Sequence, residues 1–160
     1  MKSACVLILM AFVTTIAIAQ TNLIQPTIVG KWKVNVIDAG IHHDYKTNET
    51  SYPEALKKSL QGKKDSAITI GLMHRITENF KNYCFVFSAD GKYQEIKEAK
   101  LKQEGTYKVD EILGTIETTC MSRLGTPVKQ QIEYKLIGTI LHFKFPLRNE
   151  KIALQSEKEQ

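Results

Sequence analysis

Three cysteines in 160 residues are too few to staple a fold with disulfides, and one of them, Cys5, lies in an apolar stretch at the N-terminus. Beyond residue 19 no apolar run approaches the about 20 residues needed to span a bilayer, so no stable membrane insertion is expected. Charge of one sign is lacking too. Lysine and arginine total 22 against 17 acidic residues, a net +5, and lysine pairs such as Lys57-Lys58 and Lys63-Lys64 are broken up by carboxylates. A nucleic-acid binder gathers its basic residues on one face or arm, because phosphate neutralisation is local. Scattered charge predicts solvated surface and no nucleic-acid partner. Gly-x-Ser-x-Gly, His-Glu-x-x-His and a phosphate-binding glycine loop are all missing. The expectation is a protein that is not an enzyme and needs no cofactor. Asp90, Asp110 and Glu111 fall where turns are expected, and there carboxylates shape the backbone.

What is present begins with the N-terminus. Lys2 precedes an uncharged run from Ala4 to Ala19 that closes on Ala17-Ile18-Ala19 before Gln20. Small residues at −3 and −1 fit the shallow pockets of signal peptidase. Residues 1–19 therefore read as a signal peptide, and residues 20–160 as a single exported domain, periplasmic or extracellular. A domain of that length can bury a core without staples. Cys84 and Cys120 would then meet an oxidising compartment, where a disulfide can persist. Burial as two free thiols is equally compatible with the sequence, since cysteine is among the most buried residue types.

The chain divides into three parts. In Lys31-Trp32-Lys33-Val34-Asn35-Val36 apolar and polar residues alternate, which predicts a half-buried strand with Trp32, Val34 and Val36 inward. Asp38 to Thr50 is polar and reads as a loop. A helical insertion is expected over about residues 51–82. Ser51-x-x-Glu54 has the spacing of a capping box, Leu56 and Leu60 follow at i, i+4, and Gly62 can end the helix. Ile68, Leu72, Ile76 and Phe80 then recur every fourth residue, as on a helix stripe. Alternation of Ile68, Ile70 and Leu72 is the rival strand pattern, but the four-residue spacing persists longer.

From Tyr83 to about Gln155 short alternating segments are separated by turn signals: Asp90-Gly91, Asp110-Glu111, Gly125-Thr126-Pro127 and Gly138. Phe85 and Phe87, Tyr93, Tyr107, then Val128, Ile132, Tyr134 and Leu136, and finally Leu141, Phe143 and Phe145 mark the inward faces. Seven consecutive strands with tight turns make an antiparallel meander. With the Trp32 strand they number eight, enough to close a barrel that holds side chains or one small ligand. The fold class expected is mainly β: an eight-stranded antiparallel up-and-down barrel, with one or two helices inserted between the first and second strands.

Gly30-Lys31-Trp32 resembles the Gly-x-Trp of the lipocalin superfamily. Phe85-x-Phe87-Ser88-Ala89-Asp90-Gly91-x-Tyr93 and Glu104-Gly105-x-Tyr107 are similar to recurring strands of lipocalin-like (calycin-like) domains of exported bacterial proteins. Each piece is short, and the pattern they belong to covers most of residues 28–155. The resemblance implies a barrel with an apolar interior, a floor closed by Trp32, and a basic residue over it, for which Arg148 is the candidate. It also implies a long first connection at the barrel mouth, here carrying the helices.

Two functions follow. A small hydrophobic or amphipathic molecule could occupy the interior, lined by Phe85, Phe87, Tyr93, Tyr107, Tyr134 and Phe143, with tyrosine hydroxyls orienting its polar end. Alternatively those large rings fill the barrel, and the protein is an interaction or envelope protein. His42-His43-Asp44 is the most metal-like cluster, but a site needs three or four ligands, so no metal is expected. Asn48-Glu49-Thr50 is a glycosylation sequon, expected unmodified in a bacterial protein.

Overall fold

The computed structural model describes residues 27–147 and 150–159. The signal-peptide reading, and Arg148, lie outside these residues. The strands are β1 (Gly30–Asp38), β2 (His42–Asp44), β3 (Glu49–Ser51), β4 (Tyr83–Phe87), β5 (Lys92–Lys97), β6 (Lys100–Asp110), β7 (Thr115–Met121), β8 (Pro127–Ile137), β9 (Ile140–Leu147) and β10 (Glu150–Lys158). Helices α1 (Glu54–Leu60) and α2 (Ser66–Phe80) lie between β3 and β4. Strands β4 to β10 form the antiparallel meander, and β1 pairs with both β4 and β10. This closes an eight-stranded barrel, with the helices between its first and second strands. None of the described helices is long and apolar enough to cross a membrane.

The two ends of the barrel differ. Gly30 pairs with Phe87 and Lys33 with Cys84, so β1 begins where β4 ends. Here, at the tryptophan end, lie residues 27–29, the β6–β7 and β8–β9 turns, and the close of β10. At the other end β4 starts directly after α2, which makes it the helix end.

Three local expectations are corrected. Asp38 to Thr50 is not a plain loop: β2 and β3 form a hairpin that continues the sheet beside β1 where β4 has stopped. Asp44 stabilises its turn by accepting from the backbone N–H of Lys46 at 2.7 Å. Ser51 consequently pairs with His42 in β3 and caps nothing; Pro53 is the N-cap of α1, with no side-chain cap bond. In β1 the register with β10 shifts between Val34 and Val36. This bulge turns the strand by one residue, so Ile37 and not Val36 joins Trp32 and Val34 in the core.

The 66–80 segment is helical, but its buried face is not the fourfold stripe. Ile68 and Leu72 are 64% and 52% exposed. Thr77 and Phe80 are buried, and Ile70, Met73, His74 and Ile76 are half-buried. Steps of four advance about 40° beyond a full turn of a 3.6-residue helix, so Ile68 and Phe80 end up about 120° apart. Only the last turn of the stripe reaches the core.

Candidate functional site

Inward positions of the barrel carry aromatic rings, as the alternation in β4, β5 and β9 dictates. Phe85, Phe87, Tyr93 and Phe143 are all buried. Their ring centroids run in contact: Phe85–Phe143 at 5.1 Å, Phe85–Phe145 at 5.5 Å, Phe87–Tyr93 at 5.3 Å and Phe87–Tyr107 at 5.1 Å. These separations fall in the range of directly packed aromatic pairs. Four of the six residues expected to line a ligand cavity thus occupy the interior themselves.

The same interior holds a charged-type residue that the sequence reading missed. Glu95 is two residues beyond Tyr93 on β5, on the same inward face, and only 5% exposed. Tyr93 donates its hydroxyl to Glu95 Oε1 at 2.8 Å, and Tyr83 donates to Oε2. No lysine, arginine or histidine among the described residues forms an ion pair with it. Burial pushes the hydroxyls of Tyr83 and Tyr93 well above the ordinary tyrosine range, and the neighbouring Glu95 pushes them further in the same direction. Both therefore remain donors. Alternation alone would have flagged this site, because Tyr93 and Glu95 share a parity. On β7, opposite Tyr107, Thr118 is buried with its hydroxyl unpartnered.

Cys120 belongs to this interior. A Cβ at Gly105 on the paired strand would strike the Thr119 carbonyl and crowd Cys120 Sγ, so glycine is what lets β6 and β7 close over the thiol. Cys84 alternates with Phe85 and faces the opposite side of β4, in the field of Glu159, Lys31 and Lys33. The two thiols lie on opposite faces of the sheet and are free. Burial raises the pKa of each, which leaves them as protonated, unreactive thiols.

The remaining two of the six residues are at the tryptophan end. Tyr107 and Tyr134 are half-buried and border an open groove of about 760 Å³ with Ile28, Val29, Val109 and Leu136. Tyr107 donates to the Ser88 carbonyl at 2.9 Å. Burial, with Glu111 and Asp110 nearby, raises the pKa of Tyr134; its hydroxyl stays a neutral polar group on a mostly apolar wall. Trp32 is buried in the core and tied to the groove residue Ile28. Its indole N–H donates to the Ile28 carbonyl at 2.6 Å, and Lys158 Nζ lies 5.8 Å from the ring centroid, within cation–π range. Among the described residues, Lys158, on the last strand, is a basic residue over the tryptophan. A side chain at Gly30 would collide with it.

At the helix end the last turn of α2 packs on the barrel. Phe80 packs on Tyr83 at 5.1 Å and Phe145 at 6.0 Å. Tyr45 donates to the Thr77 carbonyl at 2.5 Å, satisfying a group that the helix C-terminus leaves free. The histidine cluster does not converge. His42 and His43 are successive residues of β2 and point to opposite faces; their Nδ1 atoms contact Asp38 at 2.9 Å and Thr50 at 2.8 Å respectively.

No protein-family model matches the chain, and no curated protein matches it. Among solved structures, a DUF4847 family protein from Bacteroides vulgatus ATCC 8482 is similar, with 16% identity and a TM-score of 0.43 over 82% of this chain and 94% of that one.

Proposed function

We propose that this is an exported, non-catalytic, lipocalin-like binding protein whose ligand is a small amphipathic molecule held in the groove at the tryptophan end. The observation that carries this reading is the groove itself. Its volume of about 760 Å³ falls within the roughly 300–1,000 Å³ of small-molecule sites, and such sites combine apolar walls with a few polar groups. Val29, Val109 and Leu136 supply the wall here, and Tyr134, Lys135 and Glu111 the polar groups. The barrel interior is the weaker location, because Phe85, Phe87, Tyr93 and Phe143 already fill it.

Trp32 is a built-in probe, since its indole is hydrogen-bonded to the groove residue Ile28. Titration of purified protein with fatty acids, retinoids and a hydrophobic reporter dye should change tryptophan fluorescence saturably. Leu136→Asp should weaken that binding by about tenfold or more, the equivalent of roughly 1.4 kcal/mol. If nothing binds saturably, and organic extraction of the purified protein releases nothing, the binding reading fails. The filled aromatic interior then favours the second reading, an interaction or envelope protein with a closed core.

Export rests on the N-terminal sequence. Cleavage is expected after Ala19, giving a mature chain that starts at Gln20. Intact mass of protein recovered outside the cytoplasm checks this, and a membrane-bound chain still starting at Met1 would refute it.

A further inference from the structure

The Glu95 cluster is separate from the groove, which lies at the other end of the barrel. A buried carboxylate is costly unless its lone pairs are filled and its charge is balanced. Glu95 has one hydroxyl donor on each oxygen, and each carboxylate oxygen can accept a second bond. No cation among the described residues forms an ion pair with it. The site thus offers carboxylate lone pairs and, among the described residues, holds no positive partner.

Its cover is thin. Of the 15 residues of α2 only Thr77 and Phe80 are buried. Phe80 reaches the cluster through one tyrosine: its ring lies on Tyr83, and Tyr83 holds Glu95. Segments with few buried contacts open at low free energy. Displacing Phe80 would vacate the space of one aromatic side chain against Tyr83 and Phe145, beside the tyrosine that holds Glu95.

We propose that Glu95, held by Tyr83 and Tyr93 beneath the Phe80 lid of α2, is the anchor for the ammonium group of a primary arylalkylamine that takes the place of the Phe80 ring. The ring of such a ligand replaces that of Phe80 against Tyr83 and Phe145. Its ammonium group donates to the free lone pairs of Glu95 and lies close to the face of Tyr83, where a cation is attracted by the ring quadrupole. Both tyrosines stay protonated through the neutral range, so they reinforce the carboxylate as donors and do not compete for the cation. A carboxylate ligand of the same shape is excluded by like charge.

The test compares phenethylammonium with phenethyl alcohol, which has the same ring and chain without the charge, by calorimetry on the mature protein. The ammonium ion is expected to bind at least tenfold more tightly than the alcohol, and to shift the Tyr83 and Tyr93 ring resonances. Phe80→Ala should tighten its binding about tenfold by removing the competing ring. Glu95→Gln, in either background, should reduce ammonium binding at least tenfold and leave the alcohol unaffected. Equal affinities of the two probes for the wild-type protein overturn the proposal, and so does ammonium binding that is unchanged by Glu95→Gln in a folded variant. If Glu95→Gln does not fold, the comparison of the two probes and the tyrosine shifts in the wild-type protein decide. Leu136→Asp should leave ammonium binding intact, so failure at this site and failure at the groove are told apart.

Discussion

Trp32→Ala is expected to destabilise the protein by about 3–5 kcal/mol, the range for removing a large buried aromatic side chain. Trp32 is 1% exposed. It packs in the main core, ties residue 28 to the barrel through its indole N–H, and carries the ammonium of Lys158 over its ring. Alanine would lose all three contacts and leave a cavity between β1, β4 and β10. At roughly 2–8 °C per kcal/mol for domains around this size, the melting temperature should fall by at least about 6 °C. Trp32→Phe separates the contributions: it retains most of the buried area and loses the Ile28 bond, worth about 1 kcal/mol. Thermal unfolding followed by far-UV circular dichroism measures both. An unchanged midpoint for Trp32→Ala would mean that the tryptophan end is not packed as described.

Phe85→Ala should cost a similar amount, about 3–5 kcal/mol, and should also create something new. The Phe85 ring touches Tyr83, Tyr93, Phe143 and Phe145, so it is the hub of the interior. Its truncation opens a cavity lined chiefly by rings, with Glu95 opposite on β5, and the ring-lined part of such a cavity takes up benzene or xenon. Benzene should therefore raise the melting temperature of Phe85→Ala and leave that of the wild-type protein almost unchanged. An equal rise in the wild-type protein would show that its interior already contains a void, which would move the ligand site back inside the barrel. The same pair of measurements thus reports on both stability and the location of binding.

Much of this architecture was legible in the chain. Period-two alternation from Tyr83 onward, with a turn signal between successive segments, predicted the meander strand by strand, because side chains on a pleated strand must alternate between core and water. Gly30-Lys31-Trp32 marked the first barrel strand. The helices were legible as well, but not which side of α2 would be buried: Ile68 and Leu72 repeat at a convincing interval, yet the barrel mouth meets only the end of the helix, at Thr77 and Phe80. The β2–β3 hairpin was hidden because its residues are polar and its strands short, and its stability comes from an edge of β1 that is free only because pairing with β4 reaches no further than Lys33. Of the six aromatic residues expected around a ligand, the sequence could not separate those that pack on one another from those at the rim. Tyr107 and Tyr134 differ from Phe85 and Phe87 in depth along the barrel, not in pattern.

By itself the sequence determined the inward face of most barrel strands, how many strands close the barrel, and that large rings would dominate its interior. These are local consequences of alternation, turn chemistry and side-chain size. Only the tertiary structure decided that the rings fill the interior, that Cys84 and Cys120 lie on opposite faces of the sheet, that Lys158 lies over Trp32, and that Glu95 is buried between two tyrosine hydroxyls under Phe80. Each of these depends on how far strands slide past one another as the barrel closes. That stagger brings together side chains distant along the chain, and alternation within a single strand carries no information about it.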